Sequence, residues 1–282
     1  MTAGTAVLFD VPGPKARTRH ALGGAVAVLV LILVLGFVVY RLAATGQFSG
    51  AKWEWILYEN IQLTVLGAIG NTLAAFGLGA VLALALGALL ALGRLSNRGA
   101  LRGVAAAIVE FFRAVPLLVL MFIFYYGLPA VQVTVSPYVA VVLALTLYNG
   151  SVLAEIFRAG VLALPRGQSE AAYALGMSKS QVLGSVLVPQ ALRSMLPTVV
   201  SQLVVLLKDS ALGFLITYPE LLYQAQLLGG DGNLGRPLVQ VALVAAAVYI
   251  TLCLLLTALA TFLERRSRRS TSTPVVLADD GA

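Results

Sequence analysis

Residues 165–189, PRGQSEAAYALGMSKSQVLGSVLVP, form a polar stretch inside a chain that is otherwise strongly apolar. The stretch is too polar to cross a bilayer, yet its pattern is helical. A first helix is predicted over residues 168–175, because Gly176 suits the left-handed position that follows a helix end. A second helix is predicted to begin at Ser178, since Gln181 three residues later completes a capping box. The sequence therefore predicts a compact helix pair at the membrane surface, either lying on lipid headgroups or meeting a soluble partner.

The composition predicts an all-α integral membrane protein. Of the 282 residues, 60% are hydrophobic and only 11% are charged, which is unlike a water-soluble domain. Six transmembrane helices are expected, at about 21–40, 61–92, 104–126, 137–157, 192–216 and 238–263. Pro116 predicts a kink in the third of them. The chain then divides into an N-terminal segment, a first transmembrane helix with its outer loop, a transmembrane domain and a basic tail, at residues 1–20, 21–59, 60–263 and 264–282.

The distribution of basic residues predicts the orientation in the membrane. With the N-terminus inside, fifteen of the 19 Lys and Arg residues lie on the cytoplasmic side, and only Arg41, Lys52 and Arg236 lie outside. An excess of this size on one side favours a multi-pass protein of the cytoplasmic membrane with both termini inside. The same orientation places residues 165–189 in the cytoplasm, where ATP is found. The basic run at 265–269 follows an apolar segment directly, so it indicates a membrane anchor rather than a nucleic-acid site.

The polar stretch resembles a motif of known transport proteins. Glu170-Ala171-Ala172, followed at fixed spacing by Gly176, Val186 and Val188-Pro189, is similar to the EAA motif of ABC-transporter permease subunits. In that family the pattern is EAA, three residues, G, nine residues and I-x-L-P, so valine replaces both Ile and Leu here. The resemblance implies the type I ABC importer permease fold, with residues 165–189 as cytoplasmic coupling helices. The ATPase-contacting residues are then expected to be Glu170, Ala171, Ala172, Gly176, Met177 and Ser178.

Further segments resemble one branch of these permeases, the uptake systems for polar amino acids of the histidine, glutamine and glutamate type. The likeness extends through about residues 60–263, and it is carried by residues 110–118, 125–129, 154–160, 165–168 and 189–193. Ala114-Val115 and Ala159-Gly160 depart from the Gly-Thr and Gly-Gly that members commonly have there. The stretch Val7–Arg17 is similar to the lead segment of the second permease subunit of actinobacterial glutamate importers.

This resemblance implies an assembly of several subunits. The expected partners are an ATP-binding subunit in two copies, a second permease that is a copy or a paralogue, an extracellular substrate-binding protein facing about residues 218–237, and membrane lipid. No nucleic-acid partner is expected. The chain contains no Gly-x-x-x-x-Gly-Lys-Ser/Thr loop, so it has no phosphate cradle of its own. We therefore expect no cofactor on this chain, which is not an enzyme, and ATP on the partner subunit.

Ionisable and polar residues inside the predicted transmembrane helices are the candidates for a substrate path, because they are costly in lipid. Lys208 and Asp209 are adjacent in the fifth transmembrane helix and point about 100° apart, so they are not natural partners of each other. Each is expected to face another helix or a wet cavity, as an ion-pair partner or as part of the path. Gln202 and Asn149 are further candidates for a polar lining. Glu155 is another candidate for the path, and it is expected to form a structural or gate-lining pair with Arg158 across one helical turn. Glu110 is expected to form a structural pair with Arg113 at the same spacing.

Two other kinds of protein are alternatives to an ATP-driven permease. A secondary carrier driven by an ion gradient predicts membrane-embedded carboxylates near broken helices and often repeated halves. No repeat is visible, and Asp209 is the only deep carboxylate that the sequence indicates. A membrane scaffold without transport activity leaves the EAA spacing unexplained. The sequence therefore favours the membrane-spanning subunit of an ATP-driven importer for a polar amino acid, glutamate or a related one.

Overall fold

The computed structural model describes residues 13–269, and every regular element in that range is helical. Residues 1–12 and 270–282 lie outside the described residues, so most of the stretch Val7–Arg17 and the end of the predicted basic tail are not described. The α-helices are α1 Pro14–Ala44, α2 Glu59–Arg94, α3 Gly99–Ala114, α4 Leu117–Phe122, α5 Pro137–Leu162, α6 Arg166–Ala174, α7 Lys179–Gln181, α8 Val188–Asp209, α9 Leu221–Gly230 and α10 Leu238–Arg269. Shorter 3₁₀ and π segments lie at Gly50–Leu57, Ile123–Gly127, Leu128–Val131, Val182–Leu187, Ser210–Ile216 and Gly232–Leu234.

The chain divides into two compact units, Met1–Glu54 and Trp55–Ala282. In the first unit, α1 begins with a proline in its first turn, where the missing N–H is not needed. Large apolar side chains are exposed along its whole length. The helix ends at Thr45, whose hydroxyl donates a hydrogen bond to the carbonyl oxygen of Arg41 at 2.8 Å. This helix is long and apolar enough to cross a membrane.

In the second unit, α2 and α5 pack together through small residues. A Cβ atom on Gly87 would lie 2.8 Å from Cβ of Leu153 and 3.0 Å from the carbonyl oxygen of Gly150. Gly150 in turn lies against Leu86. Because these glycines carry no side chain, the two backbones approach closely, as small residues allow in membrane helix pairs. Helix α5 is the most enclosed transmembrane helix, and α8 and α3 pack on it as well.

Within residues 13–269, five helices are long and apolar enough to cross a membrane, and there are six if the bent pair Gly99–Ala114 and Leu117–Val131 counts as one transmembrane helix. The bend between Gly99–Ala114 and Leu117–Val131 is 95°. It lies at Pro116, where the sequence predicts a kink. Val115 is extended with ψ 125°, the conformation that a following proline enforces. The third transmembrane helix is therefore broken into two arms at the predicted kink, and the two arms extend from Gly99 to Val131, beyond the predicted bounds of about 104–126.

The polar hairpin, residues 165–181, has the predicted local signals but a different second arm. Helix α6 ends in a Schellman motif, in which Met177 N–H bonds to the Ala172 carbonyl oxygen at 3.2 Å and Gly176 N–H to that of Tyr173 at 2.9 Å. The capping box is present, since Ser178 N–H donates to Oε1 of Gln181 at 2.8 Å. The second arm does not stop, however. It continues through the π segment Val182–Leu187 into α8, and Pro189 is tolerated because it lies in the first turn of α8.

Candidate functional site

The hairpin exposes a small apolar surface beside its acidic residue. Glu170 and Ala171 are exposed, whereas Ala172 is only 5% exposed and packs inside the chain, where α6 meets the π segment. Ala172 is therefore not positioned for direct contact with another protein. Two side chains that the sequence analysis did not single out are exposed instead, Tyr173 at 48% and Leu175 at 84%. Their exposure makes both side chains available for contact with another protein, although two single residues do not form an apolar patch.

The turn of the hairpin depends on Gly176. Its φ is +78°, in the left-handed region that a residue with a side chain rarely adopts, and a Cβ there would meet nothing within 4 Å. The glycine is thus required by the backbone conformation and not by lack of space. Met177 is half-buried and Ser178 is exposed. The predicted ATPase-contacting set therefore consists of exposed residues, at 170, 171, 176 and 178, and of residues with a packing role, at 172 and 177.

Three of the candidate path residues come together between α5 and α8. Nε2 of Gln202 donates a hydrogen bond to Oδ1 of Asn149 at 2.7 Å, and Nδ2 of Asn149 lies 3.5 Å from Oδ2 of Asp209. Asn149 is fully buried, and the other two side chains are half-buried. The amide of Asn149 is therefore fixed in orientation by one acceptor and one donor, which leaves the second carboxylate oxygen of Asp209 for another ligand. We call these three residues the polar centre.

Lys208 lies apart from the polar centre, as the 100° angle between adjacent helix residues requires. Its side chain is exposed on the surface of α8. It borders a cavity of about 760 Å³ that is otherwise lined mainly by apolar residues of α9 and α10, among them Leu222, Ala245 and Tyr249. An ammonium group at this depth of a membrane-spanning helix is costly in lipid. The exposed face of α8 at Lys208 therefore requires water or a second protein chain next to it.

Glu155 belongs to a different cluster of charges. Nε of Arg158 donates to its two oxygens at 3.0 and 3.1 Å, which confirms the predicted pair across one turn. Nη1 of Arg94 lies 3.7 Å from Oε2 of Glu155 and 3.9 Å from Oε1 of Glu110. Among the described residues no ion pair joins Glu110 to Arg113, so that prediction was wrong, and Glu110 pairs across helices instead. Glu155 is thus not joined to the polar centre by a hydrogen bond or ion pair that the structure shows.

Glu220 is a buried acidic residue that the sequence analysis missed. It is fully buried at the start of α9, between two of the transmembrane helices. Its oxygens accept hydrogen bonds from the backbone N–H groups of Leu222 at 2.9 Å and Tyr223 at 2.7 Å, and from the hydroxyl of Tyr249 at 2.5 Å. Burial raises the pKa of this carboxyl group, and these three donors oppose the effect. The only signal in the sequence was an acid directly before an apolar helix.

A second tyrosine lies near this carboxyl group. The hydroxyl of Tyr218 donates to the carbonyl oxygen of Asn71 at 2.7 Å, and its ring packs 5.9 Å, centroid to centroid, from that of Tyr138. Burial raises the pKa of Tyr218 to about 12, with smaller contributions from Tyr138 and Glu220. Tyr218 is therefore a neutral hydrogen-bond donor at physiological pH. It fixes the start of α9 to α2.

The apolar helices and the exposed polar hairpin are those of an all-helical, multi-pass membrane protein. Residues 56–269 match the family described as the inner membrane component of binding-protein-dependent transport systems, and the chain belongs to this family. It is thus the membrane-spanning permease subunit of an ATP-driven importer, and the ATPase activity resides on a separate subunit. This assignment confirms the class of protein and the fold that the EAA-like spacing predicts.

Two curated relatives and two solved structures show how far the similarity extends. The chain is 42% identical to the glutamate transport system permease protein GluD of Corynebacterium glutamicum, over 80% of this chain and 84% of that protein. It is 37% identical to the L-cystine transport system permease protein TcyB of Bacillus subtilis, over 76% and 85%. A crystal structure of an amino acid ABC transporter with histidines matches with TM-score 0.66 and 30% identity, over 73% of this chain and 94% of that one. An inward-facing MetNI methionine ABC transporter, at 23% identity and TM-score 0.57, shows the same fold.

Proposed function

We propose that this permease subunit imports a polar amino acid, glutamate or a close relative, across the cytoplasmic membrane. The named relatives support the class of substrate, because one is a glutamate permease and another a cystine permease. One observation carries the proposal, namely the exposed ammonium group of Lys208 on a membrane-spanning helix beside an otherwise apolar cavity. A cation in that position suits a solute with a carboxylate group. The polar centre, with the free oxygen of Asp209, supplies an acceptor for the ammonium group of an amino acid.

The same proposal includes the partners and the orientation. One of two ATP-binding subunits docks on this hairpin, and the other docks on a second permease, either a copy or a paralogue, which faces Lys208. An extracellular binding protein delivers the solute near residues 218–237. Both termini are inside, as the excess of basic residues favours. ATP binds to the partner subunits and no cofactor binds to this chain. ATP-driven closure of the two ATP-binding subunits favours one conformation of the permease pair over the other, which is the condition for coupling.

Uptake of a panel of labelled amino acids by the reconstituted complex tests the substrate and the role of Lys208. We expect Lys208→Ala to lower uptake of glutamate by about ten- to a hundredfold, the loss of one charged hydrogen bond of about 1.5–3 kcal/mol. Lys208→Arg retains the charge and most of the uptake. Val205→Ala is the matched control, since Val205 is exposed one turn earlier on the same helix. Unchanged glutamate uptake by Lys208→Ala would remove Lys208 from the path.

A further inference from the structure

Lys179, the first residue of α7, joins the hairpin to α2. Its ammonium group donates a hydrogen bond to the carbonyl oxygen of Leu95 at 2.7 Å and a second, shorter one to Oδ1 of Asn97. Leu95 is the residue that ends α2, and Asn97 lies in the turn between α2 and α3. The side chain is half-buried. The contact therefore links two segments that are more than eighty residues apart in sequence.

The chemistry of this contact favours a cation. The last carbonyl groups of a helix have no intrahelical donor, and the helix dipole places partial negative charge there. Helix α2 is 36 residues long, and the ammonium group of Lys179 donates to the carbonyl oxygen at its end. A hydrogen bond from a charged donor is about twice as strong as one between neutral groups. The hairpin is therefore held to the end of α2 by a specific polar contact.

A turn in the first half of α2, at Asn71 and Thr72, holds the segment that begins α9. Nδ2 of Asn71 donates to the carbonyl oxygen of Pro219 at 2.8 Å, and Leu221 N–H donates to Oγ1 of Thr72 at 3.1 Å. The Tyr218 hydroxyl donates to the carbonyl oxygen of Asn71 as well. Three hydrogen bonds thus fix residues 218–221 to one turn of α2. A helix rise of 1.5 Å per residue puts this turn about 35 Å from Leu95.

The chain that runs directly from the hairpin to residues 218–221 is less regular than α2. From the hairpin to residue 217 the chain passes through the π segment, Pro197 inside α8 and the 3₁₀ segment Ser210–Ile216. Each of these interrupts the regular α-helical hydrogen bonds and allows bending. Helix α2 contains no proline between Glu59 and Arg94 and is one continuous α-helix. A movement of the hairpin that reaches the end of α2 is therefore passed on through an unbroken helix.

We propose that Lys179 is a positioning residue that couples movement of the hairpin to α2, and that α2 carries this movement to residues 218–221. The inference rests on the proposed docking of the ATP-binding subunit on the hairpin. In this arrangement closure of the ATP-binding subunits displaces the hairpin, Lys179 moves the end of α2, and Asn71 and Thr72 move the start of α9. Substitution of Lys179 uncouples ATP hydrolysis from transport without releasing the ATP-binding subunit.

The test uses the complete complex with its ATP-binding subunit and binding protein in proteoliposomes, in which uptake and ATP hydrolysis are measured together. For Lys179→Met we expect uptake per ATP hydrolysed to fall about five- to tenfold, at the low end of usual coupling effects between sites. Co-purification with the ATP-binding subunit stays unchanged. Lys179→Arg recovers most of the ratio because it retains the charge. Arg98→Met is the matched control, since it removes a neighbouring positive charge that takes no part in this contact.

A substitution where α2 contacts the start of α9 gives an independent measurement. Thr72→Val keeps the shape of the side chain and removes the acceptor for Leu221 N–H, so it should lower the same ratio. The inference is overturned if Lys179→Met leaves uptake per ATP unchanged, or if uptake, hydrolysis and complex yield fall in proportion, as for a merely structural role. The proposed function fails in a different way, when Glu170→Lys leaves the ATP-binding subunit attached and ATP-dependent uptake intact.

Discussion

Gly176 shows how one residue determines the geometry of the hairpin. Its positive φ closes the Schellman motif, and the space around it is open. The residue is therefore required for its backbone freedom, and any L-residue with a side chain pays a local strain energy there. The two N–H groups that the motif satisfies belong to Gly176 and Met177, directly before the capping box of α7. The angle between the two arms thus depends on three consecutive residues.

Gly176→Ala is expected to destabilise the hairpin by about 1–2 kcal/mol, the cost of a left-handed conformation for a residue with a Cβ. Hydrogen exchange of the amides of residues 166–181 measures this as faster local opening. Gly167→Ala is the matched control, because Gly167 lies inside α6, has no neighbour within 4 Å and lacks a positive φ. Equal protection in Gly176→Ala and the unaltered chain would show that the strain is relieved elsewhere.

Local signals made Gly176 and Ser178 predictable, because a cap involves residues only a few positions apart. Glu220 was not predictable in the same way. Its hydroxyl donor, Tyr249, is 29 residues away, and the neighbouring bond from Leu221 to Thr72 spans 149 residues. The same limit explains Glu110, for which the sequence offered Arg113 on the same helix and the fold supplied Arg94 from another. Contacts across helices depend on packing that periodicity alone does not specify.

At the scale of elements, the crossing of α2 and α5 depends on Gly87 and Gly150. Close backbone approach gains dispersion contacts along both helices, which is the main source of helix association in lipid. A methyl group on Gly87 would lie too near both Leu153 and the backbone of Gly150. Because a backbone carbonyl cannot rotate out of the way as a side chain can, the helices themselves must separate. The crossing is thus sensitive to a single added carbon atom.

Gly87→Ala is therefore expected to lower the free energy of unfolding by about 1–3 kcal/mol, the usual cost of overpacking. The thermal unfolding midpoint of the protein purified in detergent measures the loss. Gly77→Ala provides the matched control on the same helix, since nothing lies within 4 Å of its would-be Cβ. That control should be neutral or slightly stabilising, because alanine favours helix over glycine. A Gly87→Ala variant as stable as Gly77→Ala would contradict the close approach.

The bend at Pro116 shows which part of an element is encoded locally. Proline restricts the residue before it, so the position of the break could be predicted from the sequence. The angle of 95° could not, because it depends on where α3 and α4 each pack against α5. The number and approximate positions of the transmembrane helices, in contrast, could be predicted from the sequence. Length and hydropathy are properties of the segment itself.

At the scale of the whole molecule, the hairpin is the element that we propose to link this chain to the ATP-binding subunit. Its exposed apolar pair, Tyr173 and Leu175, lies on the arm that contains Glu170. Apolar side chains in the centre of a protein interface often contribute most of its affinity. The resemblance to the EAA motif indicated the segment, but it did not indicate these two residues. In the structure these two side chains are exposed, whereas Ala172 of the motif faces inward.

Leu175→Asp is expected to weaken association with the ATP-binding subunit by about 2 kcal/mol or more, a value usual for an interface residue of this kind. Co-purification of the complex at increasing salt and dilution measures the change. Leu57→Asp is the control, because Leu57 is a similarly exposed leucine, at 77%, outside the hairpin. The proposed docking surface is wrong if both variants retain the ATP-binding subunit equally well.

The buried carboxyl group of Glu220 has a consequence for how the protein is made. One of its neighbours, Thr72, is synthesised early, and its hydroxyl donor, Tyr249, emerges from the ribosome later than α9 itself. Until α10 has been inserted, this acid lacks one of its three donors, and leaving such a group in an apolar setting is expensive. Helix α9 therefore reaches its final packed position late in biogenesis, after α10 has been inserted.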